Sequence, residues 1–199
     1  KKKKNIQVGG IRRWEFGGRQ ASTDRRVEVF GPRIKNWETR THVAGQWDGK
    51  SLQLFIDGKP VKRNDNTGSF TPQGILEIGG HDGSRFKGKI DEIRISNTLR
   101  YNTEFTPPDV FTNDQHTLAL YHFNEGSGDI LKDSSGNGHD GKIVDAKWVK
   151  VDAETIGASP PPPAIAPLDA AQAKHIKKHG RTILICRLRG KLNYPTGRR

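Results

Sequence analysis

The sequence predicts an all-β sandwich of antiparallel strands, and three observations predict it. Residues 41–63 carry two Asp-Gly pairs, Asp48-Gly49 and Asp57-Gly58, each between alternating apolar runs. No stretch of residues 5–152 shows an apolar stripe at helical spacing. The short apolar runs are separated by Gly, Asn and Asp clusters, the punctuation of sandwiches and jelly rolls.

Asp-Gly supplies the positive φ values that a two-residue type I′ turn needs, so each pair predicts a tight hairpin. Closing the first turn between Trp47 and Lys50 sets Val43 opposite Leu54, Gly45 opposite Leu52 and Thr41 opposite Ile56. Closing the second between Ile56 and Lys59 sets Leu54 opposite Val61. Both turns place Val43, Leu52, Leu54, Ile56 and Val61 on one face, and His42, Gln46, Ser51 and Gln53 on the other. A slip of one residue would reverse every one of them. On the polar face His42 and Phe55 pair, as residues would that pack beneath another segment.

The remaining elements follow the same logic in chain order. Residues 11–16 and 26–30 predict short strands, with Trp14 and Phe16 sharing one side and Val27 and Val29 sharing one side. After the meander comes a polar loop over 64–74, a short strand over 75–78, and a turn-rich loop over 79–83. Residues 86–96 predict a strand on which Asp91, Ile93 and Ile95 share a side, so Asp91 points inward beside them and needs a partner. A long connection over 97–116 contains Pro107-Pro108 and leads to a strand over 117–123. Two Gly-, Asn- and Asp-rich loops, 124–129 and 133–141, precede a last strand near 142–149. Residues 153–169 hold four consecutive prolines and read as a stiff linker. Residues 168–178 could begin a helix, and residues 170–199 form a basic tail, mostly without structure, that could start a further domain.

Composition excludes some functions. The net charge of +12 belongs to the ends: Lys1–Lys4 and residues 174–199 hold 13 of the 34 Lys and Arg and no acid. Residues 5–173 are left with 21 basic against 22 acidic groups, so the folded part lacks the basic surface a nucleic-acid partner requires. The Lys1–Lys4 run reads as a solvated loop. No apolar run approaches the roughly 20 residues of a membrane span. The single Cys186 forms no internal disulfide and leaves the redox compartment open. The sequence has no Met, as expected of a piece of a longer protein.

Four segments carry a family resemblance: Thr41-His-Val-Ala-Gly-Gln-Trp-Asp-Gly-Lys50, Leu54-Phe-Ile-Asp-Gly-Lys59, Gly88-Lys-Ile-Asp-Glu-Ile-Arg-Ile-Ser96, and the run from Leu120-Tyr-His-Phe to Asp133-Ser-Ser-Gly-Asn-Gly-His-Asp-Gly141. Together they resemble the LamG-like jelly-roll domain of the concanavalin A-like lectin/glucanase fold, over residues 5–152. The early Phe-Asp-Gly-x-Asp-Asp-Tyr-Val and Glu-Ala-Trp segments of that family are absent, so the resemblance implies that early strands are missing. It also implies an extracytoplasmic recognition or adhesion module of a larger bacterial protein, with a glycan or a protein as ligand. The competing implication is a spacer tethering a catalytic domain, because residues 167–174 resemble the linker into formylglycine-generating-enzyme-like domains.

Three chemistries can be weighed on the residues. The glucanases of this fold use carboxylates at i, i+2 and i+4 of one strand, on the same face. Here Asp91 and Glu92 are adjacent and point to opposite faces, so the sequence predicts no enzyme. The loop Asp133-x-Ser135-x-Asn137-Gly138, with Asp140 beside it, places oxygen ligands as a calcium loop does, although Val144 stands where an EF-hand has Glu. The alternative is an Asx-turn loop in which Asp133 and Asn137 bond their own backbone. A sugar site would pair an aromatic platform with planar polar groups, for which Trp37, His81 and Asp82 are the candidates. Trp47, at the end of a hairpin strand, reads as a packing or cation–π residue.

Overall fold

A computed structural model describes residues 7–8, 13–20, 23–34, 40–65, 70, 76–81, 84–150 and 183–191. Trp37, Asp82 and the linker over 153–169 lie outside the described residues. Among the described residues nine strands build two sheets. The first sheet is β1 (Gln7–Val8), β2 (Arg13–Arg19) and β3 (Arg26–Arg33), in that order. The second takes β4 (Thr41–Trp47), β5 (Leu52–Ile56) and β6 (Lys59–Asn64) from the meander. It adds β9 (Lys87–Ser96), β10 (Thr117–Tyr121) and β13 (Ile183–Lys191), in the order β10-β9-β13-β4-β5-β6. Two small hairpins complete the set: β7 (Gly80–His81) with β8 (Ser84–Arg85), and β11 (Ile130–Leu131) with β12 (Gly141–Lys142). All pairings are antiparallel, and the described residues contain no helix.

The two sheets pack face to face. Trp14, Phe16, Val27 and Val29 from the first meet Val43, Trp47, Leu52, Leu54, Ile93, Ile95, Ala119 and Tyr121 from the second. These are the alternate positions that period two assigns to one face. Gly45 lies under the Phe16 ring: a Cβ there would stand 2.3 Å from Phe16 Cδ2, so only glycine admits the ring at this point. Trp47 is buried and meets Phe70 edge-on at 5.0 Å, a packing residue as expected.

The meander forms with its predicted faces and a changed first register. Asp57 (φ 50°) and Gly58 (φ 79°) make the two-residue turn, with Ile56 opposite Lys59. A bulge then sets Leu54 opposite Lys62 in place of Val61. At Asp48-Gly49 the turn spans four residues. Asp48 Oδ1 accepts from Lys50 N at 2.8 Å and Ser51 N at 2.7 Å, and Asp48 N donates to Ser51 O at 3.1 Å. Trp47 therefore faces Leu52, and Val43 faces Ile56. The shift is two residues, so every side chain keeps its face, while Phe55 sits opposite Ala44 rather than His42.

Elsewhere the structure corrects three expectations. Ile78 lies outside any strand, and β7 begins at Gly80. The last strand near 142–149 reduces to β12, two residues long, because Ile143 N turns to bond Asp129 O at 2.7 Å. On β9 the buried carboxylate is Glu92, not Asp91. Glu92 adopts φ 55°, which breaks the alternation, and the Asp91 side chain stays 50% exposed at 3.9 Å from Arg40. In the basic tail, Ile183–Lys191 adds a strand between β9 and β4.

The second face of the large sheet is covered as well. Residues 97–116 run across it without regular structure. They bury Phe111, together with Leu99, Tyr101 and Phe105, on Ala44, Phe55 and Leu120. His42 is 3% exposed beneath this segment, edge-on to Tyr101, Phe105 and Phe111. Gln46 acts as a backbone substitute. Its Oε1 accepts from Arg100 N (2.7 Å) and Tyr101 N (2.9 Å), and its Nε2 donates to Tyr101 O (2.7 Å). At Gly58 a Cβ would stand 1.8 Å from Phe105 O, so the same glycine that makes the turn lets the segment come down. Arg100, with its side chain fully buried, forks onto Asp114, Nη2 to Oδ1 at 2.8 Å, and closes the segment on itself.

Candidate functional site

The surface offering a site lies where the two sheets end. β3 and β6 are each the last strand of their sheet, and between them an open cleft of about 640 Å³ runs. Arg13, Glu28, Val29 and Phe30 line one wall, and residues 62–65 line the other. Local sequence explains the wall. In Arg26-Val-Glu-Val-Phe30, Val27 and Val29 turn inward, so Arg26, Glu28 and Phe30 must face outward by alternation. Phe30 is 41% exposed, and the Arg13 guanidinium lies over its ring, 5.6 Å from the centroid.

Charges around the cleft are mostly paired. Arg26 reaches Glu15 Oε1 and also Glu28 Oε2, the latter at 3.0 Å. Burial, together with the neighbouring Glu28 carboxyl, pushes Glu15 up to about 7, against the pull of Arg26. On the opposite wall Arg63 donates to Ser51 Oγ at 2.8 Å, pairs with Asp65, and lies 3.4 Å from Asp48 Oδ2. An exposed aromatic ring, flanked by planar polar groups in a shallow trough, can stack on the flat face of a sugar or on an apolar side chain.

A second cluster, on β9 and under the covering segment, is structural. Glu92 accepts from Phe111 N at 2.9 Å, and His122 Nδ1 lies 2.9 Å from its Oε1. Burial raises the Glu92 carboxyl, and these two partners oppose the rise. Burial, helped by Arg94, holds His42 down to about 3, so its ring is neutral.

Of the candidate ligand and metal residues, only those in the loop over 133–141 are described with their side chains. His81 lies on the backbone of β7. The loop follows the Asx-turn alternative. Asp133 Oδ1 accepts from Leu120 N and Ser135 N, both at 2.9 Å; Oδ2 accepts from Ser135 Oγ (2.8 Å) and His139 N (3.0 Å). Asn137 Nδ2 donates to Thr117 O and Leu118 O, each at 3.0 Å. Asp140 Oδ1 accepts from Asp133 N and Oδ2 from Lys132 Nζ, at 2.8 and 2.9 Å. Four donors fill the lone pairs of Asp133, so this arrangement does not fit a resident cation. Among the described residues no three His, Cys, Asp or Glu converge as metal ligands.

These bonds have another effect. They run to the backbone of β10, the last strand of the large sheet, whose outer N–H and C=O groups would otherwise stand open. Asp133, Ser135 and Asn137 cap that edge against pairing with another chain.

Phe30 is the cleft residue that sequence reasoning passed over. The signal was present: fixing Val27 and Val29 inward leaves an aromatic on the polar side of the strand, where a Thr or Lys would be ordinary. Arg13 and residues 62–65 carry no comparable signal, because their approach to Phe30 depends on how the two sheets meet.

The family model Laminin_G_3, of the concanavalin A-like lectin/glucanases superfamily, matches residues 5–105. No curated protein and no solved structure matches the chain.

Proposed function

We propose a function from one premise: the chain belongs to the Laminin_G_3 family of the concanavalin A-like lectin/glucanases superfamily. It serves as a non-catalytic recognition module, and its ligand, a glycan in preference to a protein, lies in the cleft between β3 and β6. The observation that carries this reading is Phe30, an aromatic ring left outward on the polar face of β3 with Arg13, Glu28 and Arg63 around it. The module works outside the cytoplasm, as part of a larger secreted or surface protein.

A binding role suits the carboxylates. Glycoside hydrolysis needs two carboxyl groups flanking an open position for the sugar, free to move a proton and to attack or activate water. Glu15 and Glu28 both lie on Arg26 instead, and Asp65 lies on Arg63. The calcium reading of the loop over 133–141 has no place in this function, since that loop is satisfied by its own chain.

The test is a glycan array probed with the full chain and with Phe30→Ala. Reproducible retention on a defined set of glycans, lost in Phe30→Ala with the melting temperature unchanged, supports the reading. Silence of the wild-type chain across the array overturns it and leaves the spacer role.

A further inference from the structure

We infer that the ligand of this cleft is a glycan carrying carboxylate groups, a uronate chain, held by Arg13 and Lys62. This rests on the reading of the cleft as a glycan site, and it adds the charge of the sugar.

The argument is an account of which charges are already spent. Glu28 is committed to Arg26, and Asp65 is committed to Arg63, which is held by Asp48 and Ser51 as well. Arg13 and Lys62 differ: each is exposed, and no described carboxylate pairs with either. The cleft therefore presents two cations on opposite walls, Arg13 from β2 and Lys62 from β6, whereas each acid around them already lies on an arginine. A neutral sugar would gain from that pair only hydrogen bonds to its hydroxyls, weaker than the charge-assisted bonds to a carboxylate. Carboxylates along a chain laid between the walls would pair with them.

Geometry favours a sugar over another anion. The Arg13 guanidinium is laid over the Phe30 ring, 5.6 Å from its centroid, which holds the plane of its fork while leaving N–H donors for a second partner. A carboxylate matches that fork with two parallel hydrogen bonds. The exposed remainder of the ring takes the C–H face of the same or the next pyranose. Lys62, a mobile point charge, suits a neighbouring carboxylate of a repeating chain.

The experiment measures affinity of the full chain, by calorimetry, for an oligogalacturonate and for the same oligomer with its carboxyl groups methyl-esterified. The free acid is expected to bind about tenfold tighter or more, the scale of one or two charge-assisted hydrogen bonds. That margin shrinks with added salt. It disappears in the Arg13→Ala/Lys62→Ala double variant, whose exposed positions leave the melting temperature unchanged. Equal affinity for the two oligomers, both sensitive to Phe30→Ala, overturns the charge assignment and leaves the glycan reading standing. Equal affinity for poly-glutamate overturns the sugar part. No binding of either oligomer overturns the proposal, and the neutral members of the glycan array then decide whether the reading beneath it survives.

Discussion

β4, inside the six-stranded sheet, is buried on both faces, whereas β3 of the three-stranded sheet is buried on one. The large sheet has the small one beneath it and the segment over 97–116 above it, so all seven residues of β4 are buried. The small sheet keeps Arg26, Glu28 and Phe30 of β3 outward, at its open edge. Alternating polar residues thus mean two different things in one chain. On β4, Gln46 is polar because it anchors a covering segment; on β3, Arg26 and Glu28 are polar because they meet water.

The largest way to break this contrast is to release the cover. Asp114→Ala leaves the fully buried Arg100 guanidinium without its carboxylate and is expected to cost about 3 kcal/mol. For a domain of this size that lowers the melting temperature by about 10 °C. A loss under about 1 kcal/mol in denaturant titration would show that the segment holds without the pair.

pH separates the two sheets by the sign of its effect. His42 has its folded value near 3, below the ordinary 6.5, so its contribution is complete above 6.5 and is lost as pH falls toward 3. The depression of Asp114 by Arg100 acts the same way, at lower pH. Glu15 is opposite: raised from 4.5 to about 7, it contributes below 4.5 and loses that contribution as pH rises through 7. Melting curves across pH 3–9 should show His42→Leu flattening the acid limb only and Glu15→Gln flattening the neutral limb only. His42→Leu should also be neutral or stabilising at pH 7, because neither ring nitrogen has a hydrogen-bond partner. A loss above about 2 kcal/mol there would contradict the packing described.

The smallest expected effect is none. Calcium at millimolar concentration should leave both the heat of titration and the melting temperature unchanged, since a bound ligand would raise the latter. A rise of several degrees, lost in Asp133→Ala, would restore the calcium reading of the loop over 133–141.

What the sequence revealed follows the same division. The inward face was legible because Val43, Leu52 and Leu54 alternate against the Asp57-Gly58 turn, and even a two-residue error at Asp48 preserved their side. The cover was half legible: the His42–Phe55 pair pointed to a segment above it, but Gln46, Glu92 and Arg100 are residue types found mostly in water, and only the path of 97–116 shows that they are buried. The Asp91 expectation failed at a single dihedral, the positive φ of Glu92, which strand periodicity cannot foresee. The cleft was half legible: alternation on β3 put Phe30 outward, but its neighbours on β6 come from the other sheet.

The most direct measurement of the central claim, that recognition belongs to the open edge of the small sheet and not to the closed face of the large one, is an amide chemical-shift titration of the full chain with oligogalacturonate. The account predicts saturable shifts at Arg13, Phe30, Lys62 and Arg63, with the amides of 42–46, 99–111 and 133–141 unmoved. Shifts centred on the loop over 133–141 or on the segment over 99–111, with Phe30 and Lys62 unmoved, would contradict it.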